Sequence, residues 1–159
     1  MGIHGVTTFL WFDDQAHEAA AFYVSLFPDS RMKSESHYGE GAPKPAGTVM
    51  VSEFELFGRP FAALNGGPYF THSEAVSFQV SCDTQEEIDR TWAALIADGG
   101  EEGMCGWCKD RFGVSWQVTP SRLGEFLGAP GEAGQRAMAA MLQMRKFDIA
   151  AMERATAGA

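Results

Sequence analysis

The sequence predicts an α+β protein of paired βαβββ modules, their curved sheets wrapped around a cleft with the helices outside and a helical extension at the C-terminus. Three observations predict it. The order strand, helix, three strands reads out twice along the chain. The strands alternate with a period of two, whereas the helices repeat apolar residues at steps of three and four. After Pro120 the alternation stops and helical spacing takes over. One such module leaves a sheet face bare, so two are expected to pair. The modules are expected at about 1–70 and 71–120, with the extension at 121–159 in the same structural domain.

The first module opens with VTTFLWF (residues 6–12), rich in β-branched and aromatic residues. Asp13 or Asp14 is expected to cap the helix that follows. There Ala16, Ala19, Ala20, Tyr23 and Phe27 share one stripe, and Pro28 ends it. SRMKSESHY is a candidate strand and GEGAPKPAG a loop. TVMVSEFEL alternates, with Met50, Ser52, Phe54 and Leu56 on one face. A turn at 57–60 leads into the strand FAALN, and NGGP closes the module.

The second module begins with AVSFQVS (residues 75–81), whose Val76, Phe78 and Val80 face one way. Thr84 and Glu87 have capping-box spacing ahead of a stripe of Ile88, Trp92, Leu95 and Ile96. Gly99 and Gly100 end that helix. Two short strands, a turn and the final strand GVSWQVT complete the module. The extension reads as SRLGEFLG followed by the helical run 132–155. Its Met138, Met141, Leu142 and Met144 are expected to pack on this domain or on a dimer mate.

A chain of 159 residues with 45% hydrophobic and 21% charged residues can build one ordinary core. A net charge of -9, with only 12 Lys and Arg dispersed along the chain, argues against a nucleic-acid partner. Apolar runs are short, so no membrane span is expected, and MGIHGVTTFLWFDD has no basic leader of the secretory kind. Three cysteines make no disulfide framework, which fits the cytoplasm.

The stretches FLWFDDQAHEAAAFYVSLFPDS, LNGGP, AVSFQVSCDTQEEIDRTW, GGEEGMCGWCKDRFGVSWQVTP and MLQMRKFDIAAME together resemble the vicinal oxygen chelate superfamily, the glyoxalase and bleomycin-resistance fold. Within it they look like the PhnB-like branch, which often carries a 3-demethylubiquinone-9 3-methyltransferase label. The likeness covers nearly the whole chain. A methyl donor is usually held at a glycine-rich turn after the first strand of a doubly wound sheet. WFDDQA stands there instead, so methyl transfer is not expected.

The resemblance implies that metal-dependent relatives take His, Glu or Gln ligands from inward positions of the first, fourth, fifth and eighth strands. The matching residues here are Thr7, Asn65, Ala75 and Gln117, with Gln117 where the family pattern places a glutamate. Hydroxyls and neutral amides are weak donors and alanine is none, so no metal and no other cofactor is expected. A replacement site from Glu53 and Glu55 with His72 stays open, against an exposed strand edge for the two glutamates. His17 is read as solvated. Strand alternation gives the cleft-lining candidates as Thr7, Phe9, Trp11, Asn65, Ser77, Gln79, Ser115 and Gln117.

CGWC has dithiol spacing, but KDRFG after it is turn chemistry rather than the helix start that lowers a thiol pKa. Cys105 and Cys108 also differ in strand parity, so structural cysteines are expected. Ser77 and Ser115 have no histidine placed beside them, and no catalytic residue is assigned. Lys109 and Arg111 are either a solvated turn or a steering pair for an anion. Two functions follow. One is a metal-free, homodimeric binding protein for a small, partly apolar molecule. The other is a metal-dependent isomerase, lyase, dioxygenase or transferase of the superfamily.

Overall fold

The computed structural model describes residues 2–159. The chain divides into two compact units, the first ending at Thr71 and the second beginning at His72. Each unit contains one mixed four-stranded sheet in which a helix follows the first strand.

The first unit runs β1 (Thr8–Phe12), α1 (Ala16–Leu26), β2 (Arg31–His37), β3 (Val49–Leu56) and β4 (Arg59–Asn65). Its strand order is β1-β4-β3-β2, with β1 parallel to β4 and the other pairs antiparallel. One sheet face carries Leu10, Phe12, Phe54, Leu56 and Ala63, all buried, and α1 packs there through Ala16, Ala19, Ala20 and Tyr23. The turn into β4 is tighter than its four-residue signal: Leu56 pairs with Arg59 across Phe57 and Gly58, both at positive φ.

Neither Asp13 nor Asp14 caps α1. Gln15 occupies the cap position without a side-chain bond, and Asn65 of β4 supplies the acceptor. His17 on α1 is not simply solvated, since its Nδ1 meets Glu35 of β2, which also accepts the buried Ser52 hydroxyl at 2.8 Å.

The second unit runs β5 (Ser77–Cys82), α2 (Gln85–Ile96), β6 (Glu101–Glu102), β7 (Trp107–Lys109) and β8 (Ser115–Pro120), ordered β5-β8-β7-β6. The capping box at Thr84 and Glu87 is present in both directions. Ile88, Trp92 and Leu95 of α2 are buried, as are Cys108, Trp116 and Val118 of the sheet. Asp110 pins the turn between β7 and β8. Its buried carboxylate accepts from Phe112 N at 2.9 Å, Val114 N at 3.1 Å and Trp116 Nε1 at 2.8 Å.

The extension forms α3 (Leu123–Leu127), α4 (Glu132–Met141) and α5 (Ile149–Ala157). The helical run expected over 132–155 is therefore broken. Asp148 accepts from Ala151 N and starts α5 afresh, and the segment before it runs along the turn ahead of β7. There Cys105 N and Gly106 N each donate at 2.7 Å to Met144 O and Arg145 O, while Phe147 is wholly buried. Gln85 of α2 ties the same segment down, donating to Phe147 O at 2.9 Å and accepting from Ile149 N at 2.8 Å. Of the expected stripe, Met138 and Leu142 are exposed and Met141 and Met144 half-buried, whereas Met152, outside that stripe, is fully inside.

Candidate functional site

In each unit one sheet face packs on the helix, and cleft-lining residues are expected on the opposite face. In the first unit the parallel register pairs Phe9 with Ala62 and Trp11 with Leu64, and β3 adds Val51 and Glu53 opposite Leu64 and Ala62. Period-two alternation therefore puts Phe9, Trp11, Val51, Ala62 and Leu64 on one apolar surface. Phe9 is 61% exposed there and Phe70 67%.

Trp11 is held rigidly in this surface. Its Nε1 donates to Gly67 O at 2.8 Å, and the Phe70 ring meets it edge-on at 4.9 Å. NGGP makes that possible. A Cβ on Gly66 would lie 2.2 Å from the Trp11 ring, so only glycine lets the backbone pass, and Gly67 adopts φ +96. Beyond the apolar patch the surface is polar and internally satisfied. Ser34 donates to Glu53, and Arg31 and Lys33 pair with Glu55, Lys33 foremost in holding that carboxyl below its usual range.

Thr7 lies just outside β1 and is exposed. Asn65 is not on this surface. It pairs with Phe12, so it faces α1, where it is buried and holds Ala16 N at 2.8 Å and Val49 O at 3.0 Å. The expectation that it lines a cleft is corrected by that register, and its amide oxygen and nitrogen are each engaged by the backbone.

In the second unit the rings of Phe78 and Trp116 touch on the α2 side, with centroids 5.4 Å apart. Ser77, Gln79, Ser115 and Gln117 accordingly share the opposite face, joined by Trp107 opposite Gln117 and Lys109 opposite Ser115. Gln117 Nε2 donates to Ser77 Oγ at 2.9 Å. Ala75 and Val76 precede the strand, which starts at Ser77, and Val76 is exposed.

The four positions matching the family's metal ligands do not fit a metal. Thr7 and Ala75 stand outside their strands, Asn65 faces the helix of its own unit, and Gln117 offers only a neutral amide oxygen while its Nε2 donates to Ser77. Among the described residues no three His, Cys, Asp or Glu side chains form a group that could hold an ion. Glu53 and Glu55 do share a sheet face, but each is already engaged within it.

All three thiols are free. Cys108 lies on the α2 side, and burial, with Asp110 adding to it, pushes its pKa up to about 12. Cys82 is likewise raised by burial. Cys105 stands in a left-handed turn rather than on the strand, and its Sγ reaches Met141 O at 3.6 Å. Two of the three thiols thus resist ionisation, the reverse of what redox catalysis needs.

A further group escaped the sequence. Around Ser115 on the second sheet, Glu74, Glu101, Trp107 and Lys109 border a cavity of about 190 Å³. Lys109 pairs with Glu74, whose bond is the main reason the ammonium pKa is raised. Lys109 is thus tied down rather than a freely solvated turn residue.

The family described as 3-demethylubiquinone-9 3-methyltransferase matches residues 4–119. The PhnB protein of Bacillus cereus, which carries the same description, is 39% identical over 74% of this chain and 99% of its own, with a TM-score of 0.67. Protein PA1353 of Pseudomonas aeruginosa shares the fold at 22% identity and a TM-score of 0.59, covering 74% of this chain and 98% of its own. The fosfomycin resistance protein FosX of Listeria monocytogenes shares it at 15% identity and a TM-score of 0.51, covering 74% of this chain and 93% of its own. No curated protein matches the chain.

Proposed function

The chain belongs to the PhnB-like family of the vicinal oxygen chelate fold, matched under its 3-demethylubiquinone-9 3-methyltransferase description, and from that premise we propose that it is a metal-free binding protein for a small, partly apolar molecule. The observation that carries the reading is the neutral side chain of Gln117, on one sheet face with Ser77, Gln79 and Ser115 and no carboxylate among them. Where metal-binding members of the superfamily keep a glutamate, this chain has a neutral amide, a weaker ligand for a divalent ion than a carboxylate, and its N–H₂ donates to Ser77. The apolar surface around Trp11, braced by Gly67 and Phe70, supports the ligand's apolar character.

Methyl transfer is not part of this reading despite the family's description. β1 passes to α1 through Asp13, Asp14 and Gln15, without the glycine-rich turn that approaches a dinucleotide or nucleoside donor. The sheets are four-stranded and mixed rather than doubly wound and parallel. Homodimerisation and a cytoplasmic location belong to the same proposal. Among the described residues no helix is long and apolar enough to cross a membrane.

The test has two arms. Protein purified without chelator or added metal is assayed for bound metal, and stoichiometric zinc, nickel, manganese or iron would sink the reading. A small-molecule screen by thermal shift is then repeated on Trp11→Ala and Gln117→Ala. A hit whose affinity falls about tenfold in either variant supports binding on these faces. A library with no hits, or hits indifferent to both changes, counts against it.

A further inference from the structure

The cavity beside Ser115 has a chemistry of its own. It lies between β6, β7 and the segment ahead of β5, and its volume is about 190 Å³. That is room for several water molecules or one small organic group. Ser115 is 1% exposed, and its Oγ has no hydrogen-bond partner among the described residues. A buried hydroxyl left in that state costs free energy unless something else engages it.

Three carboxylates and one ammonium line the space. Lys109 is neutralised by Glu74, and Glu102 accepts from Trp92 Nε1 at 3.1 Å and faces Arg145 at 3.7 Å. No ion pair holds Glu101 among the described residues. Its charge is felt by Lys109 without a bond. The lining is therefore negative on balance. An incoming carboxylate or phosphate would meet it with like charge, whereas a cation would find in Glu101 an exposed carboxylate that no ion pair holds among the described residues. Trp107 lines the space together with Gly103 and Cys108, and an indole is a surface that attracts alkyl groups attached to a cationic nitrogen.

We propose that the ligand carries a small primary or secondary ammonium group, which sits in this cavity with one N–H on Ser115 Oγ, another on Glu101 and its alkyl part against Trp107. The size of the cavity suits an amine with a short chain and excludes a nucleotide. This assignment rests on the reading of the protein as a small-molecule binder and narrows its ligand class.

The test titrates methylammonium and propylammonium chloride into ¹⁵N-labelled full-length protein at pH 7, against sodium chloride and sodium acetate at matched ionic strength. The expected result is a saturable shift of the Trp107 indole and Ser115 amide signals with the ammonium salts alone. Ser115→Ala should weaken it by about tenfold or more, the value of a lost hydrogen bond to a charged group. Glu101→Gln should weaken it as well, and an unreduced melting temperature shows that both variants fold. Absence of saturation, equal binding by Ser115→Ala, or saturation by acetate overturns the assignment. If ammonium fails while screened ligands still depend on Trp11 or Gln117, the ammonium assignment alone falls. If neither binds, both readings fall.

Discussion

Asn65 Oδ1 accepts the backbone N–H of Ala16 at 2.8 Å, so the first helix is capped by a strand residue 49 positions away. The same amide donates to Val49 O at 3.0 Å, and Tyr38 Oη donates to the Asn65 carbonyl at 2.6 Å. One side chain thereby joins the start of α1, the end of β4 and the start of β3. Local residues leave the cap position empty-handed, and the sheet fills it.

Replacing Asn65 with alanine should lower stability by about 1–3 kcal/mol, because a helix cap is lost and buried backbone groups lose their partners. Urea unfolding would register the change. Asn65→Asp should lose less, since it keeps the acceptor for Ala16. A neutral result for Asn65→Ala would mean that the cap contributes nothing to the fold.

Gly66→Ala puts a methyl group into the Trp11 ring, where a Cβ would sit at 2.2 Å. The indole must move and its bond to Gly67 break, at roughly 1–3 kcal/mol for overpacking. Near-ultraviolet circular dichroism and tryptophan fluorescence should both change. Any ligand whose affinity depends on Trp11 should bind more weakly to this variant. An unchanged near-ultraviolet spectrum would show that the loop yields instead of the ring.

Ser115→Ala should raise stability by about 1 kcal/mol, the reverse of the usual effect of a buried substitution, because it removes a hydroxyl that has no partner among the described residues. Thermal melting of the ligand-free protein measures it. A fall in melting temperature would mean that the hydroxyl is satisfied in solution.

Cys108 predicts an alkaline weakness. Its thiol titrates at about 12 in the folded chain against 9.0 for the free group. The unfolded chain therefore gives up this proton first. The stabilisation is fully present below pH 9 and is lost as pH rises from about 9 towards 12, by up to ~1.4 kcal/mol per pH unit. Unfolding curves under reducing conditions at pH 8 and pH 10 should differ more for the parent protein than for Cys108→Ala. An equal difference in the two would remove Cys108 as the cause.

The two-module order was legible because it is written in local periods. Alternation in VSEFEL and the stripe of Ile88, Trp92 and Leu95 report their faces without tertiary information. Asn65 was misread because its face depends on the register of β4 against β1, which no local pattern states. The break at Asp148 was hidden by apolar spacing that continues on both sides of it, although an Asp three residues before its amide partner is a usable cap signal. The cavity at Ser115 could not be read at all. β6 is two residues long, too short for any periodicity, and it brings Glu101 beside Lys109 only through pairing.

The family match ends at residue 119, yet Phe147 lies wholly inside the second unit. A Cβ on Gly106 would stand 2.5 Å from its ring, so the turn before β7 is shaped around a side chain from the far end of the polypeptide. In this chain the stretch that the family matches and the packed unit are different objects. Cutting at the family boundary would remove part of the interior rather than trim an ornament, so the smallest independently folding piece has to be sought by experiment, not by alignment.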